Sequence, residues 1–142
     1  MNRVKTAGLL ILLMLCDGCG RIRASHTWVD RSFNDPQLAD AKKVVQDVAL
    51  REGFKEQPIV ERWREEKWVQ IYTLPYKRDD VAGGWSHLAI MSRLSDANQR
   101  FEVHIYESEG VAESELGQRV RIDIRRGFAE KFGGDIVYST AD

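Results

Sequence analysis

The stretch LAIMSRLSDANQRFEVHI, residues 88–105, decides how this chain folds. Leu88 and Ile90 alternate with smaller or more polar neighbours, and Phe101, Val103 and Ile105 do the same further on. Ser95-Asp96-Ala97-Asn98 between them has turn chemistry, so the pattern predicts a β-hairpin. A turn centred on Asp96-Ala97 pairs Leu88 with Ile105 and Ile90 with Val103, which puts every bulky aliphatic on one face. A one-residue slip would mismatch each pair, because strand side chains alternate with period two. The opposite face then carries His87 opposite Tyr106, Ala89 opposite His104, and Met91 opposite Glu102.

Upstream, Trp68-Val-Gln-Ile-Tyr-Thr-Leu74 is rich in β-branched and aromatic residues and predicts another strand. Gln57–Trp63 is expected to pair with it across Arg64-Glu65-Glu66-Lys67, placing Trp63 and Trp68 face to face. Lys77–Gly84 (KRDDVAGG) reads as the longest internal loop. Before these strands comes a helix. Asn34 or Asp35 caps it, Pro36 suits its first turn, and Leu38, Ala41, Val44, Val45 and Val48 recur at helical spacing until Gly53 stops it. After the hairpin, Leu116, Val120, Ile124, Phe128 and Phe132 hold an i,i+4 row over four turns. Val120, Ile122 and Ile124 also alternate as a strand would, but the length of the row favours helix. Gly133-Gly134 ends it, and residues 135–140 return as a strand. The expected architecture is α+β: a mostly antiparallel sheet of four to five strands with two helices packed on one face.

Composition fits one folded unit. The 142 residues are 43% hydrophobic and 30% charged, an ordinary globular balance. With 21 basic and 22 acidic residues the net charge is -1. Residues 1–18 hold Arg3, Lys5 and Asp17, so the remainder has 19 basic against 21 acidic residues, or -2. That leaves no basic excess for phosphate neutralisation, which excludes a typical nucleic-acid binder. Both cysteines, Cys16 and Cys19, fall in the first twenty residues, so the body has neither a disulfide nor a cysteine metal site.

The N-terminus has its own grammar. Met1–Thr6 carries Arg3 and Lys5 without an acid, and Ala7–Cys16 (AGLLILLMLC) has no polar or charged side chain apart from the thiol. Ten apolar residues are too few for a helix to span a bilayer, which takes about 20, but they suit the apolar core of a secretory signal. Leu15-Cys-Asp-Gly-Cys-Gly20 follows, and Gly18-Cys19 within it resembles the lipobox of bacterial lipoproteins, a small residue directly before the acylated cysteine. It departs from the usual pattern in placing Cys16 where leucine is commonest and Asp17 beside it. The resemblance implies cleavage before Cys19, lipid on its thiol, and a membrane-anchored protein in the periplasm. With Gly20 rather than aspartate after the cysteine, it implies the outer membrane where there are two. The chain then divides into a signal peptide over 1–18, a lipid-anchored tether over 19–34 that includes His26, and one α+β domain over 35–142.

Catalytic motifs are missing from the body: the sequence has no G-x-S-x-G, H-E-x-x-H, Walker A or G-x-G-x-x-G. His87, His104 and Tyr106 share the outward hairpin face, with only Glu102 or Glu107 at hand as a third ligand and Glu107 on the wrong face by alternation, which is too few for zinc. Asp79-Asp80 before Gly83-Gly84 lacks the oxygen-ligand spacing of a calcium loop. Arg119, Arg121, Arg125 and Arg126 cluster on the last helix but are diluted by Glu113, Glu115, Asp123 and Glu130, as on a solvated face. Trp85 leaves the Gly-Gly loop toward His87, and exposed aromatics anchor interfaces. The residues therefore point to a non-enzymatic binding or scaffold domain without a cofactor. Its surface is Trp85, His87, His104 and Tyr106, and its partner an envelope protein or the cell wall. A periplasmic immunity protein against a toxin, or a hydrolase with an unrecognised site, are the alternatives.

Overall fold

The computed structural model describes residues 23–29, 34–80, 83–95, 100–108, 113–133 and 136–140. In chain order the elements are β1 (Arg23–Val29), α1 (Asp35–Arg51), β2 (Lys55–Glu56), α2 (Glu61–Glu65), β3 (Trp68–Lys77), β4 (Trp85–Ser95), β5 (Arg100–Glu107), α3 (Glu115–Phe132) and β6 (Ile136–Thr140). The strands form one antiparallel sheet in the order β2-β3-β4-β5-β1-β6. The protein is α+β, with six strands where four to five were expected.

The extra strand is β1, which occupies residues 23–29 of the stretch read as a tether. It lies inside the sheet, paired with β5 on one side and β6 on the other. The described structure thus includes Arg23, four positions after Cys19. Backbone pairing on both sides fixes this segment, a stabilisation that its side-chain pattern does not advertise. The strand expected over Gln57–Trp63 gives way to the two-residue β2 and the single turn of α2. Trp63 is buried from that helix and packs beside Trp68, Ile71 and Met91, so the two tryptophans share a cluster without facing each other across a hairpin.

The central hairpin forms with its faces as expected but with its pairing displaced by two residues. Ile90 stands opposite Ile105, Ala89 opposite Tyr106 and Met91 opposite His104. A two-residue shift leaves every side chain on the same face, so hydrophobic alternation cannot distinguish the two registers. The observed one places Arg93 opposite Glu102, and their side chains form an ion pair at 2.7 Å. The expected turn residues 96–98 lie outside the described residues.

Both long helices pack on one face of the sheet. Asn34 caps α1 reciprocally with Gln37, Pro36 sits in its first turn, and Gly53 follows its end at φ +87°, a conformation costly for side chains other than glycine's. Ala41, Val45, Val48 and Ala49 of α1 meet Val120, Ile124, Phe128 and Phe132 of α3 over Leu88, Ile90, Phe101, Val103 and Ile105. Each such side chain contributes roughly 1.5–3 kcal/mol by leaving water. The helices approach most closely at Gly127, where a Cβ would lie 2.6 Å from Val44 Cγ1. Across their exposed edges Arg119 binds Glu52 at 3.0 Å and Arg51 binds Asp123.

Candidate functional site

On the sheet face away from α1 and α3, the residues of β5 at alternate positions build a polar rail. Glu102 Oε2 accepts from Arg93 Nε at 2.7 Å and lies 3.2 Å from His104 Nε2, while His104 Nδ1 lies 3.0 Å from the Tyr106 hydroxyl. Trp68 closes over it. Its ring meets His104 edge-on at 5.1 Å between centroids, Arg93 sits 5.1 Å over its face, and its Nε1–H donates to Glu66. Alternation on one strand brings 102, 104 and 106 together, and α2 supplies Trp63 alongside.

The chemistry of the rail follows from its environment. Burial pushes the Glu102 carboxyl up, but hydrogen bonds from Arg93 and His104 outweigh it and hold the group below its ordinary value. Burial and the nearby carboxylates Glu102 and Glu66 raise the Tyr106 phenol against the opposing pull of Arg93, so it keeps its proton at neutral pH. Partners on both sides select one imidazole tautomer: Tyr106 O–H donates to Nδ1 and Nε2–H donates to Glu102. Hydroxyl, imidazole and carboxylate stand in the order of a nucleophilic relay. Here, however, the hydroxyl is a phenol made harder to ionise, and the imidazole is only 8% exposed. What the rail does is satisfy buried polar groups and stiffen β5 against β4.

This arrangement redistributes the expected binding surface. His104 is buried and Tyr106 half-buried, so neither stands open at the surface. His87 lies four positions along β4 from Met91, the residue opposite His104, or about 13 Å at the rise of a strand. The two imidazoles therefore do not meet over one ligand. Among the described residues no group of three or more His, Cys, Asp or Glu side chains is placed to hold a metal ion. Trp85 remains the open member, 54% exposed, opposite Lys77, whose Nζ lies 5.5 Å from the ring centroid. His87, half-exposed two positions on, is tied to Ser108 through its backbone N–H and C=O.

A second polar cluster escaped the sequence reading. Glu107, 3% exposed, points to the helix side of β5 and binds Arg78 Nη1 at 3.0 Å. It also accepts from the Ser114 backbone N–H at 3.1 Å and from the Ser114 hydroxyl. Ser114 is the N-cap of α3, so the carboxylate lies against the positive end of that helix. Arg78, 8% exposed, reaches on to Asp80. That bond raises the guanidinium's pKa against desolvation and lowers the Asp80 carboxyl's. The pair Asp79-Asp80 is thus split, with Asp80 held by arginine. A carboxylate on the apolar face of a strand was the available signal, since a buried charge demands partners.

The chain matches no protein-family model, no curated protein and no solved structure.

The arginines of α3 are also engaged. Arg119 binds Glu52, Arg121 binds Glu113 at 2.8 Å, Arg125 donates to Thr27 at 3.0 Å, and Arg126 binds Asp123. Two of these partners lie on other main-chain elements, so the cluster fastens α3 to α1 and β1.

Proposed function

We propose that this chain is an exported lipoprotein, held to a membrane through Cys19, whose α+β domain works by surface contact in the cell envelope and not by catalysis. The observation that carries the reading is the leader: two early cations, ten apolar residues and Gly18-Cys19. Two structural features support it. The strands among the described residues, from Arg23 on, follow the proposed cleavage point. The ionisable side chains of the rail and of the Arg78 cluster are bonded to one another, whereas the Trp85 ring at the end of the β3–β4 hairpin is 54% exposed. Among the described residues no helix is long and apolar enough to cross a membrane.

The test is metabolic labelling with an alkyne-bearing fatty acid. The wild-type protein is expected to take up label and partition with membranes, and Cys19→Ser to do neither. Label retained by Cys19→Ser, or an unmodified mass for the mature wild type, overturns the proposal.

A further inference from the structure

The ladder places the start of β1 and the β3–β4 hairpin at the same end of the sheet. Arg23 pairs with Glu107, and Glu107 pairs with Leu88. Strand β4 continues beyond that level through His87 and Ser86 to Trp85, paired all the way with Pro75, Tyr76 and Lys77 of β3. At about 3.3 Å per residue the hairpin therefore projects about 10 Å past the first residue of β1. From Cys19 to Arg23 there are four peptide units, which reach at most about 14 Å even when fully extended. A lipid on Cys19 is thus confined to within about 14 Å of the end of the sheet from which the hairpin projects.

We propose that the end of the β3–β4 hairpin, with Trp85 and Lys77, rests in the headgroup layer of the membrane that holds the anchor. The inference depends on acylation of Cys19 and names what the exposed end meets. Its chemistry fits that layer: an amphipathic indole 54% exposed, a cation beside it at 5.5 Å, and the exposed ring of Pro75 two residues before the lysine. Tryptophan and lysine are the side chains that settle at a bilayer interface, the one by its apolar body with a polar N–H, the other by an apolar stem under a charge. Asp79 and Asp80 on the same hairpin exclude a strongly anionic surface as the main attraction, and Asp80 is already engaged by Arg78. One indole binds a bilayer weakly when free in solution. Held to the same bilayer by the anchor, it acts at an effective concentration of about the millimolar order, so a weak contact is populated.

The experiment uses full-length expressed protein, purified from membranes after its own processing and reconstituted into phosphatidylcholine vesicles with or without brominated acyl chains. Bromine quenches only indoles at the acyl boundary. Of four tryptophans, Trp63 and Trp68 are buried. Emission from wild type is expected to fall by one indole's share, about a quarter, on brominated lipid, as for a ring seated at the interface. Trp85→Phe, which keeps an aromatic ring there, is expected to lose that drop. Equal emission from wild type in both vesicles overturns the proposal, as does quenching undiminished in Trp85→Phe, and a protein partner for Trp85 would then replace the lipid. The mass of the same sample separates the two readings. An acylated protein without quenching refutes this inference alone, and an unacylated one refutes the anchor as well.

Discussion

Glu102 and Glu107 sit five residues apart on one strand and lead different lives. Alternation turns Glu107 under α3, where it is sealed with Arg78 and the α3 cap, while Glu102 turns to the other face and shares Arg93 with the Trp68 cluster. The contrast teaches that a carboxylate's role here follows from the parity of its position and from what covers that face. Under a helix end it locks two elements together; on the half-covered face it orders neighbours that solvent also reaches.

Removing Glu107 should therefore be the most damaging change. Glu107→Ala strands the Arg78 charge and the Ser114 N–H in a buried site, and a loss of about 3–5 kcal/mol is expected in urea unfolding. A loss below about 1 kcal/mol would show that the pair is dispensable and would dissolve the contrast. Next is Gly117→Ala, whose Cβ would fall 2.1 Å from Glu107 Oε1. It should cost about 2 kcal/mol by pushing the carboxylate off its partners. That penalty should shrink when combined with Glu107→Ala, a coupling that a double-mutant cycle reads directly.

Glu102→Gln sharpens the other half of the comparison, with a smaller expected loss of about 1–2 kcal/mol because one charged hydrogen-bond partner is exchanged for a neutral one. Its pH dependence has a definite sign. The folded-state carboxyl lies below its ordinary value of 4.5, so its contribution is full above that value and fades as pH falls through the lowered one. Wild type should lose its advantage over Glu102→Gln in acid-unfolding curves below about pH 4. An advantage that grew on acidification would contradict the shift. Smallest of all, Trp85→Ala should change stability by less than about 0.5 kcal/mol, since the ring covers little of the core. A larger thermal shift would mean that Trp85 supports the fold and is not reserved for contact.

The sequence made some of this legible for physical reasons. The rows Ala41-Val45-Val48 and Val120-Ile124-Phe128 announced α1 and α3, since a helix that buries one stripe must repeat it. Strand β4 and its partner were equally plain in their alternation, and with it the sidedness of His104, Glu102 and Tyr106. Their exact partners were not, because displacement by two residues conserves sidedness and only the Arg93–Glu102 pairing chooses between the alternatives. Strand β1 was invisible for a related reason: a strand held on both sides by backbone hydrogen bonds needs no apolar rhythm of its own. Of the candidate site, Trp85 is exposed and His87 partly buried, whereas burial of His104 depends on Trp68 folding over it from another strand. Arg78 was illegible altogether, since nothing local tells a loop arginine that it will meet a carboxylate 29 positions later.

The interior position of β1 bears on how the chain assembles. Its first partner, β5, begins only at Arg100, and its second, β6, ends at Thr140. A polypeptide emerging amino end first therefore carries β1 without a ladder partner until β5 has been made, and completes the described sheet only with β6. Such sequence-distant pairing slows collapse to the native state. Delay of this kind leaves the β1 segment without its ladder until both of its distant partners are in place.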